Sequence, residues 1–481
     1  MATLDGTGQA HPGSQDGVCQ PRITTRGWSL NELVESSPNF RRVPRTHYSA
    51  PSLKASMSEH EIDGTPLIIY GWNRHPRWLK TFDINWLKTN GDQYPVVRNV
   101  HNWSDIKIPL SDFIDRIRAS PVYASAEEQE RLYGKDSECP AQWTEWLMDG
   151  GVIPDDVLFD GPNDFLKFLP RMAKVQTLMC YVGIGDTFTP FHKDLCASSG
   201  QNLMCYSENN GSSFWFMTKA SDAPKVVSYF RQLGQEVDLE THVVTLDELR
   251  SAPFEVYIAE QCVGDLVLVP PRSCHQVVNN GGITIKTSWS RMSLDGLQIA
   301  IYYELPIYHR VCRPEIYKVK SNIYHAMCHH TTVMDQTEPG AELVTLAHEL
   351  KKLLDLFDDI LAQEYTAQHK SLPNVSQSGA AHYDNIHCDF CGADIFQSFF
   401  ECDKCAFQSD GDSAFLPLGD GLVVCPSCYV EGRTCRCGEM QPVQHRVMDD
   451  LLQSRDSAAR AIQRFECQNN IKYGYLSEHP E

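Results

Sequence analysis

Two imidazoles and one carboxylate stand out by type and by setting. One pair sits in Thr189-Pro190-Phe191-His192-Lys193-Asp194, and a second histidine ends the run Gly264-Asp265-Leu266-Val267-Leu268-Val269-Pro270-Pro271-Arg272-Ser273-Cys274-His275. This donor set suits a non-haem Fe(II) gripped on one face, with the opposite positions open for co-substrate and dioxygen. The spacing alone is weak, because His-x-Asp or His-x-Glu recurs at His382/Asp384, His387/Asp389 and His479/Glu481. Ordinary buried or surface histidines are the competing explanation.

A second group of metal-ligating residues lies further along. Cys388-x-x-Cys391, Cys402-x-x-Cys405, Cys425-x-x-Cys428 and Cys435-x-Cys437 fall within fifty residues, with His387 and His445 beside them. Each pair closes a tight loop that turns two sulfurs toward one tetrahedral ion, so eight thiolates suffice for two zinc ions. Free or redox-active thiols are the alternative. A zinc module of this kind contributes to folding and offers no open catalytic position.

The elements that must position the first group can be read around it. Gln176 to Ile184 is an apolar, β-rich run closed by Gly183, Gly185 and Pro190, so His192 follows a strand. A Gly-Asp turn, a four-residue apolar strand and a Pro-Pro stop precede His275. Ligands on strand ends are held rigidly while the open positions stay accessible. Between them, Phe214-Trp215-Phe216-Met217 reads as a buried strand, Asp222-Ala223-Pro224 opens a helix to about Leu233, and Thr245-x-x-Glu248 fits a capping box. Phe254, Val256 and Ile258 alternate with polar positions, as Ile283, Ile285 and Thr287 do against Thr284, Lys286 and Ser288. Upstream, Thr65 to Trp72 reads as a short strand and Ser111 to Ile117 as a capped amphipathic helix, with Trp143 to Leu147 packing on the core. The expected fold is mainly β with added helices: a double-stranded β-helix, or jelly roll, whose mouth holds the metal, plus a small C-terminal zinc-binding domain.

At 481 residues, 42% of them hydrophobic, the chain can fill two or three domains. A net charge of −20 disfavours strong direct DNA binding and suits a basic protein partner. No run of 18 apolar residues is present, and the first twenty residues lack the apolar stretch of a secretory signal. Eighteen cysteines in such a chain suggest reduced thiols and metal sites. Residues 1–60 show no sustained periodicity and are expected to form a flexible arm, in which Arg41-Arg42-Val43-Pro44-Arg45 is a candidate nuclear address.

The stretch as a whole resembles the JmjC family of 2-oxoglutarate oxygenases. The matching residues are Thr189-x-x-His192-x-Asp194, Ser199 to Met204, Gly211 to Trp215, and Gly264-Asp265 to Asn279, with Tyr133-Gly134-Lys135-Asp136-x-x-Cys139-Pro140-x-x-Trp143 upstream. The resemblance implies Fe(II) on His192, Asp194 and His275, and 2-oxoglutarate chelating that iron. The far carboxylate of the co-substrate then needs a hydroxyl and a cation, because an unpaired buried carboxylate is costly. The family pattern assigns the hydroxyl to Thr189 and an amide contact to Asn202, for which a turn cap is the alternative. Where the family carries lysine in a Gly-x-Lys-x-Trp strand, this chain has Ser213. Lys286, eleven residues after His275, is the replacement expected, with Lys219 and Lys225 as further candidates.

The resemblance implies oxidation of a C–H bond with conversion of 2-oxoglutarate to succinate and CO₂. On a methylated lysine the product sheds formaldehyde; on an unmethylated side chain it is a stable alcohol. Histone lysine demethylation in the nucleus is the leading expectation, with a protein hydroxylase or a non-catalytic chromatin-binding protein as alternatives. The cysteine region resembles ZZ-type cross-brace fingers, which implies that pairs one and three share one zinc and pairs two and four the other, and that chromatin proteins are its partners. Cys435 and Cys437 stand near where such fingers have histidines. The expected division is an arm (1–60), an oxygenase domain (61–310, core 176–292), a helical extension (311–370), a linker (371–386), a zinc finger (387–445) and a closing helix and tail (446–481). Residues 341–369 carry apolar positions at helical spacing, expected to pack on the barrel or form a dimer contact.

Overall fold

The computed structural model describes residues 23–78, 83–148, 153–337, 341–366, 369–373, 386–402 and 422–469. They divide into two compact units, one within His11–Asp164 and Gln176–Gly296, the other within Phe165–Val175 and Leu297–Glu481.

Among its described residues the first unit has fourteen strands: β1 (Phe40–Arg42), β2 (Arg45–His47), β3 (Leu67–Tyr70), β4 (Val96–Asn99), β5 (Asp105–Lys107), β6 (Leu132–Glu138), β7 (Met179–Gly183), β8 (Phe188–His192), β9 (Ser199–Ser207), β10 (Ser212–Met217), β11 (Val256–Gln261), β12 (Leu266–Val269), β13 (His275–Asn280) and β14 (Thr284–Arg291). They make a five-stranded sheet, β1-β11-β10-β13-β8, and a nine-stranded sheet, β2-β3-β12-β9-β14-β7-β6-β4-β5. The fold is a jelly roll with helical cover.

One apolar cluster, including Val43, Ile68, Trp215, Met217, Ala259, Val267, Val269 and Val277, draws on strands of both sheets and fills the space between them. The outer face of each sheet is covered as well. Phe214, Phe216, Val278 and Ile258 pack with Val226 and Phe230 of the helix Ala223–Gln232. Leu203, Ile285 and Trp289 pack with Phe113, Ile114, Trp143 and Trp146 of the helices Leu110–Ala119 and Ala141–Met148. Covered faces on both sides explain why β10 and β12 are buried at every position. They also explain why β11 lacks the expected polar face: Tyr257 and Ala259 are buried between the sheets. The capping box Thr245/Glu248 forms as expected, whereas the helix Leu110–Ala119 has Pro109 at its N-cap and no side-chain cap.

The expectation of a flexible arm over residues 1–60 does not hold for its described part. β1 runs parallel to β11 and β2 parallel to β3, so residues 40–47 extend both sheets. Thr25 bonds Asp186 Oδ1 through its backbone N (2.6 Å) and Oγ1 (2.9 Å). The basic cluster is part of this architecture: Arg41 pairs with Glu255 at 3.0 Å and Arg45 with Asp265 at 2.8 Å. Three-residue edge strands are held by main-chain bonds, which need no apolar repeat.

In the second unit, the helices Val319–Gln336, Ala341–Glu364 and Met448–Asn469 pack on one another. The apolar face of Ala341–Glu364 is thereby taken up within its own unit, with Leu350, Leu353, Leu354 and Phe357 buried. β15 (Ser398–Cys402), β16 (Leu422–Val424) and β17 (Gln441–Gln444) form an antiparallel sheet in the order β16-β15-β17. Cys405 and most of the expected linker (374–385) lie outside the described residues.

Candidate metal and co-substrate site

His192 is the last residue of β8 and His275 the first of β13, and the two strands pair so that these residues face one another. Their rings lie 4.1 Å apart between centroids. Asp194 follows two residues beyond β8, and the ligand atoms of all three side chains lie within 4.8 Å of one another. His192 Nδ1 is 2.8 Å from Pro190 O and His275 Nδ1 is 3.1 Å from Ser273 O. A carbonyl only accepts, so each Nδ1 carries the proton and each Nε2 keeps its lone pair for a metal.

The surroundings hold this triad in place. Trp215 stacks on His275 at 5.9 Å and 20°. Its Nε1 donates to Gln261 Oε1 at 2.9 Å, and Gln261 Nε2 donates to Asn202 Oδ1 at 3.1 Å. Lys193, between the two ligands, is buried against buried Asp238 at 3.1 Å. Asp194 Oδ2 is buried without a hydrogen-bond partner among the described residues. A Cβ on Gly200 would lie 2.3 Å from that oxygen, so glycine leaves room for the carboxylate. A buried, unpartnered carboxylate oxygen beside two preset imidazoles fits Fe(II).

A second polar cluster occupies the barrel wall. Lys286, in the middle of β14, is 2% exposed and its Nζ is 2.7 Å from Asn279 Oδ1. Ser213 Oγ donates to the same oxygen at 2.7 Å, and Asn279 Nδ2 donates to Thr187 Oγ1 at 2.8 Å. Tyr133 OH lies 3.4 Å from Thr189 Oγ1 and also reaches Asn279, which joins Thr189 to the lysine. Burial pulls the Lys286 ammonium down to about 7, with no carboxylate among the described residues to offset it. A buried cation with hydroxyls around it and no anionic partner fits one end of a dicarboxylate such as 2-oxoglutarate.

The expected residues are therefore placed unequally. Thr189 and Lys286 belong to the cluster, and Ser213 sits beside the cation that stands in for it. Asn202 supports the iron side through Gln261 and Trp215. Lys219 lies over the Tyr257 ring and Lys225 pairs with Asp222, so neither joins Lys286. Sequence reasoning assigned no role to Asn279 or Tyr133, although both fall inside the matching motifs; the signal was an amide directly across from Ser213.

The cysteines also gather. Cys391 Sγ and Cys425 Sγ are 3.7 Å apart, and Cys388 faces both. Cys402 Sγ lies 3.4 Å from Cys437 Sγ, which is 3.2 Å from Cys435 Sγ. Pairs one and three thus share one locus, and the described sulfurs of pairs two and four another, as a cross-brace requires. Spacings of this order let several sulfurs reach one ion, so both clusters could bind zinc. Neither His387 nor His445 joins the described groups; His309, which sequence reasoning did not single out, does.

Comparison with known proteins agrees with this geometry. Residues 179–290 match the family model described as "JmjC domain, hydroxylase". The chain is 27% identical over 426 residues to C-module-binding factor A of Dictyostelium discoideum, covering 84% of this chain and 41% of that protein's length. Such a domain implies Fe(II) and 2-oxoglutarate as cofactors. Residues 179–290 of this chain are a JmjC domain, of the oxygenase superfamily that includes hydroxylases and demethylases.

Proposed function

We propose that this chain is a nuclear Fe(II)- and 2-oxoglutarate-dependent oxygenase that demethylates histone lysines. The observation that carries the oxygenase part is Lys286: a cation buried in the same barrel as the triad, bonded only to Asn279 in the described structure, suits a bound dicarboxylate. When bound, Fe(II) and 2-oxoglutarate supply C–H oxidation by dioxygen, with release of succinate and CO₂. His192, Asp194 and His275 hold the metal. Lys286, Thr189, Ser213 and Tyr133 hold and orient the far carboxylate. Trp215, held by Gln261, keeps His275 from rotating, and the covered sheets keep bulk water from the barrel.

The net charge of −20 supports a basic protein substrate such as a histone tail, and the zinc module is the part suited to contact chromatin proteins. The family description favours a second reading, a protein hydroxylase on the same site. The relative's name, a binding factor, supports a third, in which the chain binds without catalysis.

The test is turnover of 2-oxoglutarate to succinate by the iron-loaded full chain, with formaldehyde measured on methylated histone peptides and His192→Ala as control. Succinate and formaldehyde that both vanish in the variant support the demethylase. Succinate with a peptide heavier by one oxygen and no formaldehyde supports the hydroxylase. Failure of 2-oxoglutarate to bind overturns both.

A further inference from the structure

The group of ligand atoms at the first cysteine locus is unusual in its membership. His309, Cys391, Cys425 and Cys428 have ligand atoms that all lie within 4.8 Å of one another. Three of these belong to the cysteine module. His309 does not: it lies on the helix Leu305–Val311, outside the 387–445 segment that the cysteine pattern delimits. With Cys388 alongside, five donors compete for the four places of a tetrahedral ion.

Two observations favour the imidazole. His309 Nε2 lies 3.0 Å from Glu431 Oε1, so the carboxylate holds the proton on Nε2 and leaves the Nδ1 lone pair to donate. A ring nitrogen facing a metal while the other donates to a carboxylate is the usual outer arrangement of a metal-bound histidine. Glu431 is the C-cap of the short helix Pro426–Val430, whose N-cap is Cys425 and which carries Cys428. One turn of chain therefore delivers two sulfurs and the group that orients the histidine.

The second observation is burial. Cys391, Cys425 and Cys428 are 1%, 7% and 1% exposed. Four thiolates around Zn²⁺ leave two net negative charges in that setting, whereas three thiolates and a neutral imidazole leave one, which is less costly to bury.

We propose that the first zinc centre is a three-cysteine, one-histidine site made by Cys391, Cys425, Cys428 and His309, with Cys388 beside it but not a ligand. The metal then ties the helix Leu305–Val311 to the cysteine module. The proposal rests on reading the cysteine clusters as zinc sites.

The test is cadmium NMR of the cadmium-substituted full chain, which gives one resonance per centre and separates four-sulfur from three-sulfur, one-nitrogen coordination without any substitution. The expected result is one resonance of each type, with the nitrogen-containing one correlated to an imidazole proton. His309→Asn shifts or abolishes that resonance and leaves the other in place, while Cys388→Ser leaves both. Glu431→Gln weakens metal binding at this centre about 10- to 100-fold. Two four-sulfur resonances, one of them moved by Cys388→Ser, overturn the proposal and leave the zinc reading standing; a chain that binds no cadmium overturns both.

Discussion

Replacing Lys286 by methionine should make the protein more stable and a worse binder of 2-oxoglutarate at once. The ammonium is buried with a single amide acceptor in the described structure, and burial brings it from the ordinary 10.5 down to about 7. At ~1.36 kcal/mol per pKa unit, keeping that lysine charged in the barrel costs about 5 kcal/mol, to order of magnitude. Methionine fills most of the same volume without that cost, so Lys286→Met should raise Tm, by about 4–8 °C if even ~2 kcal/mol is recovered. The bound carboxylate then faces no cation. A lost charge-assisted hydrogen bond costs about 1.5–3 kcal/mol, so Kd for 2-oxoglutarate should rise roughly 10- to 150-fold.

The pH dependence carries a sign that can be checked. The folded value lies below the unfolded one, so between about 7 and 10.5 the unfolded chain holds more protons. The lysine's contribution therefore makes stability rise with pH across that window. A bound carboxylate reverses the preference by favouring the ammonium, so wild-type 2-oxoglutarate affinity should weaken as pH climbs above about 7, toward tenfold per unit. In Lys286→Met both slopes should disappear. Calorimetric titration and thermal melts across pH 6.5–9 measure all of this; a variant with unchanged Kd and unchanged pH slope would refute the assignment of Lys286 as the co-substrate cation.

Three other perturbations follow from the same geometry. Gly200→Ala puts a Cβ 2.3 Å from Asp194 Oδ2 and should reduce iron affinity and turnover at least about tenfold while circular dichroism stays native. Breaking the buried Lys193–Asp238 pair with Asp238→Asn should cost about 3–5 kcal/mol in thermal or urea unfolding, and Lys193→Met combined with Asp238→Leu should recover much of it. A zinc chelator should release about two ions per chain and expose the 386–445 region to protease, while cleavage within 176–292 stays slow; equal loss of protection in both would argue against zinc as a local folding element.

Much of the site was legible because its ligands sit on signals that are local. A strand stopped by Gly and Pro, followed by His192 and Asp194, and a strand stopped by Pro-Pro before His275, describe two strand ends without reference to the rest of the chain. The paired cysteines were readable for the same reason, since each Cys-x-x-Cys loop is its own chelate. The capping box at Thr245 needed only four consecutive residues. By contrast, β1 and β2 were missed because short parallel edge strands are defined by the backbones they meet, and for β1 that is β11, far along the chain.

The sequence by itself determined the donor types and their placement at strand ends. Only the tertiary structure decided which groups share a volume. It set β13 against β8 so that His275 meets His192, turned Lys286 onto Asn279 beside Ser213, and brought His309 to the cysteines of a module that begins almost eighty residues later. Apart from the Lys286–Asn279 contact, which spans seven residues, these are encounters between segments distant in sequence, fixed by sheet register and packing, and neither composition nor local spacing encodes them.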